Sequence, residues 1–224
     1  MSITTDKFPP IIIAELALRL LKKTFAMKLG FRPSLSKVDI ETTLRSIESA
    51  LMVLKYSYLP VNELIKHEEL TNVYNGGLEL SEALKPATST PSTNQLLLAN
   101  LKWGISIFLF LERRIKTADS NLGSGVDLKV VHVRNVQKVD NFLLTRAYDN
   151  EKTYTIMTNI LDLRPNRNVG VAFLPPKEIG GTLSEAMYLG AEEREEEAGV
   201  VLTPNQVNLS EVNAILHQLL SQKM

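Results

Sequence analysis

The sequence predicts an α+β protein: an all-helical N-terminal domain, then a five-stranded antiparallel barrel, then a C-terminal helix. Three observations predict it. Apolar residues recur at three- and four-residue steps through the first half. A Gly- and Ser-containing stretch from Ala118 to Gly125 interrupts that pattern. Beyond it come five or so short runs rich in β-branched and aromatic residues, separated by turn residues. The domains are accordingly residues 1–118, a linker at 119–125, a barrel at 126–200 and a helical tail at 201–224.

The chain of 224 residues is 44% hydrophobic and 22% charged, enough to bury a core. It has no cysteine, which excludes disulfides and thiolate sites. The opening MSITTDKFPPIII lacks the basic leader, apolar run and small-residue cleavage site of a signal peptide. The longest apolar stretch, Leu96 to Leu111, falls short of the roughly 18 to 20 residues of a membrane span and carries Asn100 and Lys102. The expectation is a cytoplasmic protein without a membrane segment. The balance of 25 basic and 25 acidic residues tells against binding nucleic acid by bulk electrostatics. The distribution is uneven: residues 1–125 hold 15 basic and 12 acidic groups, and residues 126–200 hold 9 and 12.

In chain order, Pro9 and Pro10 suit a helix start, and Ile12, Leu16, Leu20 and Leu21 give an amphipathic helix ending near Gly30. Lys22, Lys23 and Lys28 near its end complement the helix dipole. Ser36 with Asp39 resembles a capping box, and Ile40, Leu44, Ile47, Leu51 and Leu54 carry a second helix to Tyr58, stopped by Pro60. Two shorter helices, Val61–Val73 and Leu78–Leu84, are expected on either side of Asn75-Gly76-Gly77. Residues 86–94, PATSTPSTN, read as an exposed loop. The next helix, Gln95–Lys116, is apolar on nearly all sides and so belongs at the centre of a bundle. His67 beside Glu68 and Glu69 lacks the further ligands a metal needs and reads as a polar turn.

Strands are expected at Val126–Val133, Phe142–Tyr148, Tyr154–Thr158, Val169–Leu174 and Met187–Ala191. A sandwich needs more strands, which leaves a small barrel. The last two strands flank a loop shaped by Pro175, Pro176, Gly180 and Gly181. Glu192–Glu197 reads as a solvated helical turn. In the tail, Val212, Ile215, Leu216, Leu219 and Leu220 form an apolar stripe that must be covered by the helical half or by a second copy.

Residues 126–191 resemble the tRNA-binding OB-fold domain appended to many methionyl-tRNA synthetases and found in related accessory proteins. Three blocks carry the resemblance. Asp127-Leu128-Lys129-Val130 is similar to the opening strand of that family. Tyr154–Asn159 resembles its strand leading into a turn. Pro176-Lys177-Glu178-Ile179-Gly180-Gly181 followed by Ser184-Glu185-Ala186-Met187 is similar to its Pro-basic-basic-Leu-basic-Gly and Ser-Gln-Gly-Met loop. The resemblance implies an RNA interface in which Lys177, Arg164, Arg167 and Lys129 meet phosphates, Ser184 offers a hydroxyl and Met187 supports the loop from beneath. Glu178, Gly180 and Glu185-Ala186 depart from the pattern, and a carboxylate that faces RNA repels it.

The reading that follows is a non-catalytic accessory protein of translation that binds tRNA or another structured RNA, alone or with an aminoacyl-tRNA synthetase or translation factor. The alternative keeps the OB scaffold as a protein-interaction module that has lost most RNA binding. A homodimer is implied by the resemblance. No catalytic residue, metal site or cofactor motif can be assembled from the three histidines, His67, His132 and His217, and His132 reads as a structural residue on a strand.

Overall fold

The computed structural model describes residues 4–86 and 94–222, so most of the expected exposed loop at 86–94 lies outside the described residues. Contacts divide the chain into two units: Val126–Ala214, and the residues up to Gly125 together with those from Ile215 onward.

In the helical unit, α1 (Pro9–Phe25) has prolines in its first turn, where no intrahelical N–H partner is lost. It buries Ile11, Ile13, Leu16 and Leu21 completely. Helix α2 (Lys37–Lys55) opens on a capping box: the Ser36 hydroxyl accepts from the Asp39 N–H at 3.2 Å, and the Asp39 carboxylate accepts from the Ser36 N–H at 3.3 Å. Its buried stripe is Ile40, Leu44, Ile47, Leu51 and Leu54. Lys55 reaches back to Glu15 of α1 at 2.9 Å.

The next two helices depart from the sequence expectation. After the short α3 (Val61–Leu64), α4 runs unbroken from Glu68 to Ala83, through Gly76 and Gly77. These glycines are contact points rather than breaks. A Cβ on Gly76 would lie 2.7 Å from Ile47 Cγ1, and one on Gly77 would lie 3.1 Å from Phe108 Cβ. Close approach of α2 and of the following helix outweighs the roughly 1 kcal/mol that a mid-helix glycine costs. At the start of α4, His67 Nδ1 accepts from the Glu69 N–H at 3.3 Å, so this residue serves as a cap.

The single helix expected over 95–116 is two: α5 (Gln95–Leu109) and α6 (Leu111–Thr117), bent by 62° at Phe110. The buried Arg114 explains the bend. Its guanidinium donates to the carbonyl of Ile107 at 2.8 Å and to that of Ser106 at 3.3 Å, satisfying the end of α5. Among the described residues no single helix is long and apolar enough to cross a membrane; the bent pair would pass only if taken together. The expected linker contains a buried 3-10 turn, Leu122–Gly125. In α7 (Ser210–Ser221) Leu216 is fully buried, and Leu220 lines a small recess with Ile12, Leu18 and Met52, so this part of the stripe is covered by the chain's own helices.

The second unit is an antiparallel sheet of order β3-β2-β1-β4-β7, made of β1 (Asp127–Val139), β2 (Phe142–Tyr148), β3 (Thr153–Thr158), β4 (Arg167–Phe173) and β7 (Met187–Tyr188). A two-stranded hairpin, β5 (Lys177–Ile179) and β6 (Thr182–Ser184), stands apart from it. Strand β1 is longer than the sequence suggests and serves two neighbours: residues 127–133 pair with β4 and residues 132–139 with β2, across a bulge between Val133 and Asn135. The bulge lets one strand turn a corner, which curls the sheet. Beyond β7, Gly199 and Val200 exchange hydrogen bonds with Val130, and Leu202 donates to Leu128, covering the start of β1. The Glu192–Glu197 segment forms no helix; the Arg194 N–H donates to Asn168 O and the Arg194 side chain holds Glu196.

The barrel core is Val131, Val133, Ala147, Ile156, Val169 and Val171 with Tyr154 and Tyr188. Tyr188 shares a 2.7 Å hydrogen bond with Thr145, whose hydroxyl donates to Ile156 O, so Tyr188 is the donor. Burial pushes the Tyr188 phenol up to about 12.

Candidate nucleic-acid interface

The Pro- and Gly-rich loop between β4 and β7 is a tight hairpin. Ile179 pairs with Thr182, leaving Gly180 and Gly181 as a two-residue turn, both with positive φ (56° and 77°). That is the twist a two-residue hairpin prefers, and glycine adopts it without steric cost. Lys177 stands at the base of the hairpin, exposed and paired across it with Ser184; Glu178 is exposed beside it.

Ser184 and Glu185 turn away from solvent chemistry. Ser184 is buried, its hydroxyl accepting from the Met157 N–H at 3.1 Å and donating to Ala186 O at 3.2 Å. The Glu185 N–H donates to Thr155 O at 3.0 Å, and its carboxylate accepts from the Thr155 N–H at 2.9 Å. The Ser184–Glu185 step thus replaces a strand along the edge of β3 and draws the curled sheet toward closure. This corrects two expectations: the Ser184 hydroxyl is not presented to a ligand, and the Glu185 carboxylate is engaged with backbone instead of facing RNA. Met187 is half-buried on β7, paired with Ala172.

The expected phosphate contacts divide. Arg164 is exposed before β4 and makes no ion pair among the described residues. Arg167 is exposed and lies 3.6 Å from Glu193. Lys129 is committed elsewhere: its ammonium holds the fully buried carboxylate of Asp149 at 2.9 Å. Burial drives the Asp149 carboxyl up, but hydrogen bonds from Lys129 and Tyr154 outweigh it and hold the group below its ordinary value. A structural role for Lys129 therefore replaces the expected phosphate contact.

The sheet offers surface that motif reading missed. Along β2, Leu143, Thr145 and Ala147 are buried while Phe142, Leu144, Arg146 and Tyr148 take the opposite face, the alternation of a half-buried strand. Register sets Arg146 between Asn135 and Thr155, and Tyr148 between His132 and Thr153. Arg134, on the bulge of β1, lies 4.0 Å from the centroid of the Tyr148 ring, and His132 meets the same ring edge-on at 5.9 Å. His132 is fixed through Nδ1, which donates to Asn168 Oδ1 at 2.9 Å. Arg146 is exposed and makes no ion pair among the described residues. A flat aromatic, two guanidinium groups and an exposed Phe142 on one face provide both stacking and phosphate contacts. The signal was present in the sequence as the alternation Phe142-Leu144-Arg146-Tyr148.

Among the described residues no group of three or more His, Asp or Glu side chains is placed to hold a metal ion. No family model matches the chain, and no curated protein matches it. Among solved structures, the chain is similar to a MetRS related protein from Pyrococcus horikoshii, at 17% identity and a TM-score of 0.34 over 38% of this chain and 96% of that one. It is also similar to the chaperone CsaA from Bacillus anthracis str. Ames, at 20% identity and a TM-score of 0.30 over 39% of this chain and 89% of that one. At these identities and scores neither likeness assigns a family.

Proposed function

We propose that this chain is a non-catalytic, cytoplasmic accessory protein of translation whose barrel binds tRNA or another structured RNA. The observation that carries the reading is the outer face of β1 and β2, where Arg134 stacks on Tyr148 beside the unpaired, exposed Arg146. Unstacked bases bind aromatic and guanidinium planes, and phosphates bind the remaining cations. Lys177 and Arg164 extend the same chemistry at the hairpin and at the turn before β4. Of the two carboxylates that weigh against this reading, Glu185 is engaged with the Thr155 N–H and Glu178 is exposed.

The test is a titration of fluorescently labelled tRNA at low salt. Binding should weaken at least tenfold, about 1.4 kcal/mol, when Arg146→Glu and Lys177→Glu are combined. Binding that is absent in the wild type, or indifferent to both changes, overturns the reading. A second reading, docking to a synthetase or translation factor by a scaffold that has lost RNA binding, is favoured by one finding: Lys129 and Ser184 are consumed within the fold. It predicts co-purification of a protein partner that survives nuclease treatment, and self-association as a homodimer belongs to either reading.

A further inference from the structure

A recess of about 1550 Å³ opens in the helical unit where the end of α1, the loop 26–36 and the first turns of α2 meet. Its walls are apolar, with Phe25, Phe31 and Leu35 half-buried, Met27 half exposed, and Ile40 and Leu44 at the base. The loop that forms one wall is tied down at both ends. The Leu29 carbonyl accepts from the Asn94 N–H at 3.1 Å, the Ser34 N–H donates to Ala83 O at 3.2 Å, and the Ser34 hydroxyl donates to Glu82 O at 3.1 Å.

The charges around the recess do not balance. Lys22, Lys28, Arg32, Lys37 and Arg45 line it against Asp39, Glu41 and Glu48. Each acid is already engaged: Glu48 holds Lys22 at 2.6 Å, Asp39 closes the Ser36 cap, and Glu41 lies 3.9 Å from Lys37. Lys28, Arg32 and Arg45 are left exposed, with no ion pair among the described residues. A chain of zero net charge therefore concentrates five cations against three carboxylates around one preformed apolar recess, with Lys28, Arg32 and Arg45 outside its ion pairs.

The volume exceeds the roughly 300 to 1,000 Å³ of small-molecule sites, which points to a polypeptide segment. A phosphate backbone fits less well, because it has no apolar side to set against Phe25, Phe31, Leu35 and Met27 between the cations. Apolar walls with a cationic rim complement a helix that is apolar on one side and acidic on the other. We propose that this recess docks an acidic amphipathic segment of a protein partner, its apolar side against Phe31, Leu35 and Met27 and its carboxylates on Lys28, Arg32 and Arg45.

The experiment uses the full chain carrying ¹³C-methyl methionine and a fluorescein-labelled model peptide of about 18 residues, with Leu on one helical face and Glu on the other. Saturable binding is expected, with the Met27 methyl resonance shifting and the other methionines still. Arg32→Glu with Arg45→Glu should weaken binding at least tenfold while the circular dichroism stays that of the wild type. A peptide with Lys in place of Glu should not bind. The proposal is overturned if the acidic peptide fails to saturate at millimolar concentration, if binding survives both substitutions, or if Met27 does not shift. It is equally overturned if tRNA or phosphatidylglycerol vesicles shift Met27 and displace the peptide. Because the barrel substitutions that test RNA binding leave this recess intact, the two readings fail separately.

Discussion

Lys129 and Asp149 form a buried ion pair, ammonium to carboxylate at 2.9 Å, with the Asp149 side chain wholly excluded from solvent. Tyr154 donates to the same carboxylate oxygen at 2.7 Å, and the Lys152 N–H donates to the other oxygen at 3.1 Å. Asp149 is therefore the point at which β1, the end of β2 and the start of β3 are fastened together.

This pair predicts a pH-dependent stability. A carboxyl held below its ordinary value contributes stability that is present above the unfolded pKa, about 3.9, and is lost as pH falls through the folded value. Lys129→Met leaves the carboxylate buried without its ammonium and should cost the barrel unit about 3 to 5 kcal/mol at pH 7. Removing the ammonium also lets burial raise the Asp149 pKa, so protonation should narrow the deficit near pH 4. Hydrogen exchange of β1 and β2 amides at both pH values checks this, and an equal deficit at the two would refute the assignment.

The hydroxyl of Ser184 carries a second prediction. Ser184→Ala leaves the Met157 N–H buried without an acceptor, a loss of about 1 to 3 kcal/mol. Glu185→Gln keeps an oxygen for the Thr155 N–H and should cost less, with no gain in RNA affinity if the carboxylate stays on that backbone N–H. Urea unfolding of both variants, followed by tRNA titration, checks the pair. A marked rise in affinity for Glu185→Gln would return Glu185 to the interface.

What the sequence made legible was local. Helices α1 and α2 begin where Pro9-Pro10 and Ser36-Asp39 say they do, because caps depend on neighbours within four residues. What it hid depends on partners far along the chain. Gly76 reads as a break until Ile47 lies against it, and Glu185 reads as a repelling charge until Thr155 is found opposite. Lys129 reads as a phosphate contact until Asp149 claims it twenty residues away. The Pro176–Met187 block marked a real hairpin, yet of its polar residues Lys177 and Glu178 stay exposed while Ser184 turns inward.

Arg114 gives the third prediction. Its guanidinium ends α5 by donating to the Ser106 and Ile107 carbonyls, and the residue is 2% exposed. Arg114→Leu keeps apolar volume but removes charge-assisted donors, so the helical unit should lose about 2 to 3 kcal/mol. Trp103, about two turns before the break and the only tryptophan, reports the loss as an earlier fluorescence transition in urea. An unchanged midpoint would mean that the bend needs no cap.

The outer face of the sheet separates into two chemistries that salt can tell apart. Arg146→Gln removes one cation and, if it meets a phosphate, should lower the slope of log affinity against log salt by about 1. Tyr148→Ala removes the ring on which Arg134 rests and a base could stack, and should weaken binding by about 1 to 3 kcal/mol. Its slope should change little, because Arg134 keeps its charge. Titrations of labelled tRNA at several salt concentrations give both quantities for each variant. If Tyr148→Ala alters only the slope, or Arg146→Gln only the salt-independent part, the roles assigned to this face are reversed and the stacking model fails.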